Sequence, residues 1–182
     1  MQDKLITYWP KKKSDLPRDM KERACYITLN YKEDMITAKS SSDIDYSYTF
    51  PDGNCVTFAE ERFKYTEAFF NPSLFGFAYK SIPQLIYDSI QKCQKDVQSQ
   101  LFESIALAGG STLFEGFPER LQLEMNKLAG PGNTIKIIAN PERKYNCWIG
   151  GSILSCLETF QSRCLQLAKY KEEGASSVRL FK

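Results

Sequence analysis

Residues 105–120 read IALAGGSTLFEGFPER, and this stretch decides how the rest of the chain is interpreted. The pattern predicts a short buried strand, a turn at Gly109 and Gly110, and then the start of a helix. Two glycines directly after a strand let a flat ligand approach the main chain, because no Cβ stands in its way. A tight turn that needs positive φ explains the same pair, so the stretch by itself leaves both interpretations open.

The composition is that of an ordinary soluble protein. The chain has 182 residues, 42% hydrophobic and 25% charged, enough for one large domain or for one and a half ordinary ones. A net charge of +2 argues against nucleic acid as the main partner. The run Lys11-Lys12-Lys13 is compatible with a solvated loop or with a phosphate-binding patch. Polar residues follow Met1, and no apolar run approaches the ~18 residues that a membrane span needs, so we expect a cytosolic or nuclear protein without a membrane partner.

The chain contains six cysteines and no histidine. The lack of histidine excludes the catalytic triads, general bases and metal sites that are built on that residue. The cysteines form no Cys-x-x-Cys pair and have mostly apolar neighbours. We therefore expect buried, reduced thiols rather than a disulfide framework.

The first half of the chain predicts a helix, a hairpin and an irregular apolar segment. Apolar residues recur at helical spacing over residues 16–27, although residues 25–29 are also compatible with the start of a strand, and residues 32–39 predict a second helix. Alternating side chains on both sides of Asp52-Gly53 predict a β-hairpin, because this dipeptide tolerates positive φ. Residues 69–77, FFNPSLFGF, cannot form a regular helix. They are either an irregular part of the core or an apolar loop kept for a partner.

The second half predicts alternating helices and strands. An apolar stripe predicts one helix over residues 81–101, and the glycine pair is followed by a helix that begins near Phe117. Residues 134–139 predict a strand, and residues 148–157 predict a buried helix. Gly150 and Gly151 lie inside that helix and indicate close helix packing, because each would otherwise cost about 1 kcal/mol.

Together these motifs resemble the carboxyl-terminal half of actin. The resemblance is carried by PERKY at 141–145, WIGGSIL at 148–154, TFQ at 159–161, LAGG at 107–110, IKIIA at 135–139, YTFPDG at 48–53, ERF at 61–63, PS at 72–73, RD at 18–19, KE at 21–22 and CY at 25–26. It runs from about Leu16 to the end, and the first fifteen residues do not fit.

The resemblance implies an α/β fold, namely the carboxyl-terminal half of the ribonuclease-H-like fold that actin shares with Hsp70 chaperones and sugar kinases. It divides the chain into a divergent segment 1–15, an inserted small subdomain 16–77, a half-domain 78–145 that contains the glycine turn, and carboxyl-terminal helices 146–182. In actin those helices cover a sheet of the first subdomain. We therefore expect Trp148, Ile149 and Ile153 to form an exposed apolar patch here.

The resemblance also implies an ATP or ADP site. The residues that match actin's adenine and ribose pocket, glycine turn and further nucleotide contacts are Arg18, Lys21, Glu22, Gly109, Gly110, Leu113, Phe114 and Lys144. Without the resemblance, the charged members of this set would be read as solvated surface residues. The turn departs from actin at Ala108, Ser111 and Leu113-Phe114, where actin has a Ser, Thr and Met-Tyr pattern. A hydroxyl is therefore lost at Phe114, although its ring can still pack on a base.

Two partner surfaces follow from the same resemblance. Phe70, Leu74 and Phe75 match the apolar plug that bridges the strands of an actin filament. Leu154, Leu157 and Thr159 match part of the groove that binds amphipathic helices of actin regulators. Arg163 replaces a methionine in that groove, and its charge should weaken apolar docking or change the partner. The expected partners are actin or actin-like subunits and actin-binding proteins, with a cytoplasmic, cytoskeletal location.

The sequence lacks the parts of actin that hold phosphate and metal. It contains no Asp-x-Gly-x-Gly hairpin, whereas a triphosphate needs glycine-rich hairpins and Mg²⁺ needs carboxylate or water anchors. We therefore expect a truncated or divergent actin-like protein with half of an ATP cleft, no ATP hydrolysis, and Mg²⁺ bound only through the nucleotide. The alternatives are a nucleotide-independent interaction module in an actin-related complex, or a working ATPase of the wider superfamily, which would need the missing hairpins too.

Overall fold

The structure is a computed structural model that describes residues 16–180, with side chains described as far as Ser177. The predicted segment 1–15, including the run Lys11-Lys12-Lys13, lies outside the described residues. No helix within the described part of the chain is both long enough and apolar enough to cross a membrane.

The first packed unit combines a short helix with a hairpin. Helix α1 covers Leu16–Ala24, α2 covers Tyr31–Ser40, and strands β1 (Tyr46–Thr49) and β2 (Cys55–Phe58) pair antiparallel. The predicted hairpin is confirmed, with Gly53 at φ 87° in its turn. One face of α1 packs on the inner face of the hairpin, and the buried residues of this cluster are Met20, Ala24, Tyr48, Phe50 and Phe58.

The second packed unit is a β–α–β arrangement. Helix α3 (Glu61–Lys64) and two 3-10 turns, Thr66–Phe69 and Pro72–Phe75, lead into α4 (Ile82–Gln91) and α5 (Lys95–Phe102). Strand β3 (Ile105–Ala106) pairs in parallel with β4 (Ile137–Ile138), and α6 (Phe117–Ala129) connects them. The buried residues of this core are Ile27, Phe70, Ile90, Phe102, Ile105, Leu107, Phe117, Leu121 and Met125.

The prediction of one helix over residues 81–101 is wrong. The chain leaves α4 after Gln91, and Gln94 is extended at ψ 143° before α5 begins. Because the chain changes direction, the predicted apolar stripe does not stay in the core, and Cys93 is exposed. In α5, Phe102 is buried, whereas Leu101 is exposed. Strand β4 is also shorter than the strand predicted over residues 134–139, since it forms only two ladder residues.

Residues 24–28, which begin with the last residue of α1, connect the two packed units, and we call them the junction segment. Its residues 25–28 are neither helix nor strand, so both predictions for residues beyond Ala24 are wrong. Its alternate carbonyls, at Ala24, Tyr26 and Thr28, accept hydrogen bonds from Arg62 Nε at 2.8 Å, Thr66 Oγ1 at 2.5 Å and Arg120 Nη1 at 2.7 Å. Side chains therefore replace the neighbouring strand that would normally satisfy these groups.

The junction segment also contacts the start of α6. Ile27 N donates to the Glu115 carbonyl at 2.8 Å, and Gly116 follows at φ 81°. A Cβ on Gly116 would lie 2.2 Å from the Ile27 carbonyl oxygen. Only glycine fits here, because both the backbone conformation and the contact exclude a side chain.

The last described elements are α7 (Asn146–Cys156), the 3-10 segments Glu158–Arg163 and Gly174–Leu180, and α8 (Leu167–Glu173). The prediction that α7 is buried is wrong, because none of its residues is buried and Trp148 is 75% exposed. Gly150 and Gly151 make no close packing contact, since an added Cβ would meet nothing within 4 Å. The expected exposure of Trp148 and Ile153 is confirmed, whereas Ile149 is partly covered.

The cysteines are free but mostly not buried. Cys25 lies in the protein interior, Cys164 is intermediate, and Cys55, Cys93, Cys147 and Cys156 are exposed. The prediction of buried thiols therefore holds for Cys25 alone. Apolar neighbours in sequence do not indicate burial here, because the exposed cysteines lie in a two-stranded hairpin, just after α4 and in an uncovered helix.

Candidate functional site

A cavity of about 290 Å³ opens between the last turn of α1 and the segment that follows the glycine turn. It brings together six of the eight residues predicted for a nucleotide site, namely Lys21, Glu22, Gly110, Leu113, Phe114 and Lys144. These residues come from three separate parts of the chain. Their convergence on one cavity depends on how the junction segment joins α1 to the start of α6.

Helix α1 directs Lys21 and Glu22 away from its buried face. Met20 and Ala24 pack into the first core, so the residues between them point outward. Arg18 is not part of the cavity lining, but its Nε donates to Glu22 Oε1 at 3.1 Å. Arg18 therefore acts on the cavity through Glu22.

The two glycines of the turn have different roles: Gly109 allows the backbone to turn, and Gly110 lines the cavity. Gly109 has φ 94°, and its amide donates to the Arg143 carbonyl at 2.9 Å, so this residue serves the turn. Gly110 lines the cavity, where an added Cβ would meet Lys144 Cγ at an ordinary 3.9 Å. Arg143 Nη2 donates to the Thr112 carbonyl at 2.9 Å and ties the 3-10 turn Gly110–Leu113 to the turn Pro141–Lys144. This contact holds Lys144 beside the glycine turn.

Three positive side chains act on the Glu22 carboxylate at the cavity. The hydrogen bond from Arg18 lowers the pKa of Glu22, against the effect of desolvation, and the nearby Lys144 and Lys21 lower it further. Glu22 is therefore an ionised acceptor. Lys21 Nζ lies 5.6 Å from the centroid of the Phe114 ring, which places a donor next to an aromatic face. The predicted residues thus offer an acceptor, two ammonium donors and an apolar surface.

Three further residues line the cavity that the sequence comparison did not single out: Arg23, Cys25 and Glu115. Cys25 is only 7% exposed, and burial raises the pKa of its thiol, so it contributes a neutral apolar wall. Each of the three directly follows or nearly follows a predicted residue in sequence. This adjacency is the signal that could have identified them.

The predicted plug residues divide between core and surface. Phe70 is 5% exposed, its ring centroid lies 5.7 Å from that of Phe117, and Arg120 Cζ lies 4.9 Å from the Phe70 ring. Phe70 is therefore a core residue, and its prediction as a partner contact is wrong. Leu74 is exposed and Phe75 is partly exposed, and both lie in the 3-10 turn that follows the core residue Phe70. Residues 69–77 thus belong to the core at Phe70 and lie at the surface at Leu74, and the partner role of the exposed part stays a prediction.

The predicted groove residues all lie at the surface. Leu154 and Leu157 are exposed large apolar side chains, and Thr159 and Arg163 are exposed beside them. Among residues 16–180 there is no group of three or more acidic, histidine or cysteine side chains that could hold a metal ion.

A comparison with protein-family models matches the chain to the model described as Actin over residues 3–180. The match extends into the first fifteen residues, which the motif comparison had left outside the resemblance. It includes both packed units, the cavity and the exposed helices. The chain therefore belongs to the actin family.

Proposed function

We propose that this actin-like protein binds the base and ribose of ATP or ADP weakly, from one side, and acts mainly through contacts with other proteins. The observation that supports the nucleotide part is the convergence of Lys21, Glu22 and Lys144 with Gly110 and Phe114 on one cavity. These residues are distant in sequence and chemically suited to different parts of one ligand.

Each of these side chains suits one part of such a ligand. Ionised Glu22 would accept hydrogen bonds from sugar hydroxyls, and the ammonium groups of Lys21 and Lys144 would donate to the base or sugar. Phe114 and Leu113 offer apolar surface to a base. Gly110 carries no side chain, so a ligand can approach its backbone closely. Any Mg²⁺ would arrive bound to the nucleotide, because the described residues supply no cluster of metal ligands.

We propose further that the chain does not hydrolyse ATP. Phosphoryl transfer depends on groups that position the phosphates and stabilise their charge, and charge-assisted bonds to the phosphates normally supply much of the affinity. The 182 residues contain no Asp-x-Gly-x-Gly hairpin that could provide such a grip. Affinity should therefore change little between adenosine, ADP and ATP.

Equilibrium titration of the purified chain with adenosine, ADP and ATP tests this proposal, together with single-turnover phosphate release in the presence of Mg²⁺. We expect weak, similar affinities for the three ligands, weaker binding in Glu22→Gln, and no phosphate release. Glu119→Gln, on the exterior of α6, is the matched control and should bind like the original chain. Tight ATP binding or phosphate release at an actin-like rate would contradict the proposal.

The exposed apolar side chains of the carboxyl-terminal helices favour a second candidate, a nucleotide-independent interaction module of an actin-related complex. Trp148, Ile153 and Leu157 expose apolar surface of the kind that marks protein interfaces. Co-sedimentation with actin filaments, with and without ADP, distinguishes the two candidates. We also propose a cytoplasmic, cytoskeletal location, which imaging of the tagged full chain would test.

A further inference from the structure

Arg62 connects the end of α1 with the loop that precedes β1. Its Nε donates to the Ala24 carbonyl at 2.8 Å, and its Nη1 donates to the Ile44 carbonyl. Its Cζ lies 4.9 Å from the centroid of the Tyr26 ring and 5.4 Å from that of Tyr46. The Arg62 carbonyl in turn accepts from Tyr26 N at 3.2 Å. Both the main chain and the side chain of Arg62 therefore hold the residues at the end of α1.

These contacts occur where α1 most needs them. Ala24 is the last residue of the helix, and the last carbonyls of a helix have no partner within it. A guanidinium there supplies a donor, and its positive charge is favoured by the helix dipole. A helix of 9 residues is too short to be stable without tertiary contacts. The last turn of α1 thus depends on Arg62.

The same last turn forms one wall of the cavity. Lys21, Glu22 and Arg23 lie on it, and Cys25 follows directly, so four lining residues come from this turn or its continuation. Arg62 itself is not part of the lining. It contacts Ala24 and Tyr26 instead, and so supports the turn that carries the lining residues.

We propose that Arg62 is a positioning residue of the cavity, which fixes the last turn of α1 and so directs Lys21 and Glu22 toward the ligand. The functional role of Arg62 rests on the proposed nucleotide site. Its effect on α1 does not, because that effect can be measured without a ligand. A lysine cannot replace Arg62, because only the planar guanidinium can donate to two carbonyls while it stacks between two rings.

The variant Arg62→Lys tests the effect on α1, because it retains the positive charge near the Cys25 thiol but loses the fork and the stacking. Labelling with N-ethylmaleimide, resolved by peptide mass spectrometry, reports on Cys25, and the exposed Cys93 serves as an internal reference. We expect the ratio of Cys25 to Cys93 labelling to rise on the order of tenfold, the effect of losing one bond to a charged group. Deuterium exchange at residues 22–26 should rise as well, while exchange in α6 stays unchanged.

Arg120→Lys is the matched control. Arg120 also donates to a carbonyl of the junction segment, at Thr28, but it does not contact α1. This variant should weaken the whole protein without selectively exposing Cys25. Equal rises in Cys25 labelling in both variants, or no rise in Arg62→Lys, would overturn the proposal.

Titration with adenosine and adenine separates this inference from the proposed function. If Arg62 directs Glu22 toward a sugar, the original chain prefers adenosine over adenine and Arg62→Lys loses that preference. Retention of the preference in Arg62→Lys would overturn the positioning of Glu22. If the original chain binds neither ligand while Cys25 still responds to Arg62→Lys, the nucleotide site is wrong and the support of α1 by Arg62 stands.

Discussion

The junction segment and helix α7 differ in what stabilises them. Hydrogen bonds from distant side chains stabilise the junction segment, whereas α7 has mainly its own helical geometry. The junction segment has no regular secondary structure after Ala24, yet its carbonyls accept hydrogen bonds from side chains of α3, of a 3-10 turn and of α6. Helix α7 has complete helical geometry, yet no residue in it is buried. In this protein, therefore, a segment with regular backbone geometry is not necessarily one with many tertiary contacts.

The difference teaches where substitutions should matter. Most helical stability in proteins comes from packing rather than from propensity, so an uncovered helix contributes little to the free energy of unfolding. An irregular segment with bonded, buried groups contributes more, because each lost partner leaves a polar group without a hydrogen bond. The following variants test this contrast.

The largest effect is expected from Arg120→Met. Arg120 Nη2 lies 3.0 Å from Glu67 Oε1, and the Glu67 side chain is 0% exposed. Removal of the guanidinium leaves a buried carboxylate without its ion pair, so we expect a loss of roughly 3–5 kcal/mol in the free energy of unfolding. Urea denaturation measures it. The control, Arg23→Met, removes an exposed ion pair with Asp19 and should change the free energy of unfolding little.

The next largest effect is expected from Gly116→Ala. Positive φ and the contact with the Ile27 carbonyl both oppose a side chain, and we expect a loss of roughly 3 kcal/mol. Gly53→Ala separates the two causes, because Gly53 also has positive φ but an open environment. That control should lose only about 1–2 kcal/mol. Equal losses in both would mean that the contact with Ile27 contributes nothing.

A third test compares an aromatic residue of α7 with one of the core. Trp148→Gln should change the free energy of unfolding by less than about 0.5 kcal/mol, because the side chain is exposed. Phe102→Ala should cost about 3–5 kcal/mol, because it removes a buried ring. Binding of a hydrophobic dye should fall in Trp148→Gln. A large loss of stability in Trp148→Gln would mean that α7 is covered in solution.

The smallest effect concerns pH. The hydrogen bond from Tyr48 Oη to Asp19 Oδ2, 2.6 Å long, lowers the pKa of Asp19 and raises that of Tyr48. The bond therefore stabilises the protein at neutral pH, and this contribution disappears as acid protonates Asp19 below its usual pKa of 3.8. It also disappears as alkali ionises Tyr48 above the usual tyrosine value of 10.0.

Tyr48→Phe should therefore flatten the dependence of stability on pH at both extremes, as thermal denaturation across the pH range would show. Tyr79→Phe, at an exposed position, is the control. Loss of stability in Tyr48→Phe that is the same at every pH would contradict the assigned role of this bond.

Features set by neighbouring residues could be predicted from the sequence. The hairpin follows from Asp52-Gly53 and the alternation around it, and the buried face of α1 follows from helical spacing. The candidate site came from family resemblance, because Lys21, Glu22 and Lys144 would otherwise be read as solvated charges. What brings them together is a set of contacts between distant positions.

Features set by distant contacts could not be predicted. Glu67 and Arg120 look like surface charges in the sequence, and nothing local indicates that they pair in the core. Gly116 resembles any turn glycine until its contact with Ile27 is known. The break between α4 and α5 was missed because residues 92–94 are compatible with a helix, and the packing of Phe102 favours another direction. The exposure of α7 contradicts its local pattern, since apolarity predicts burial only where a covering surface exists.

The side-chain bonds of the junction segment have a consequence for the order of folding. The donors from Arg62, Thr66 and Arg120 are 38, 40 and 92 positions away from the carbonyls they reach. Closing loops of that length costs chain entropy before any bond forms, so these contacts should be absent from the folding nucleus. Substitutions at the three donors should therefore accelerate unfolding and leave the refolding rate almost unchanged.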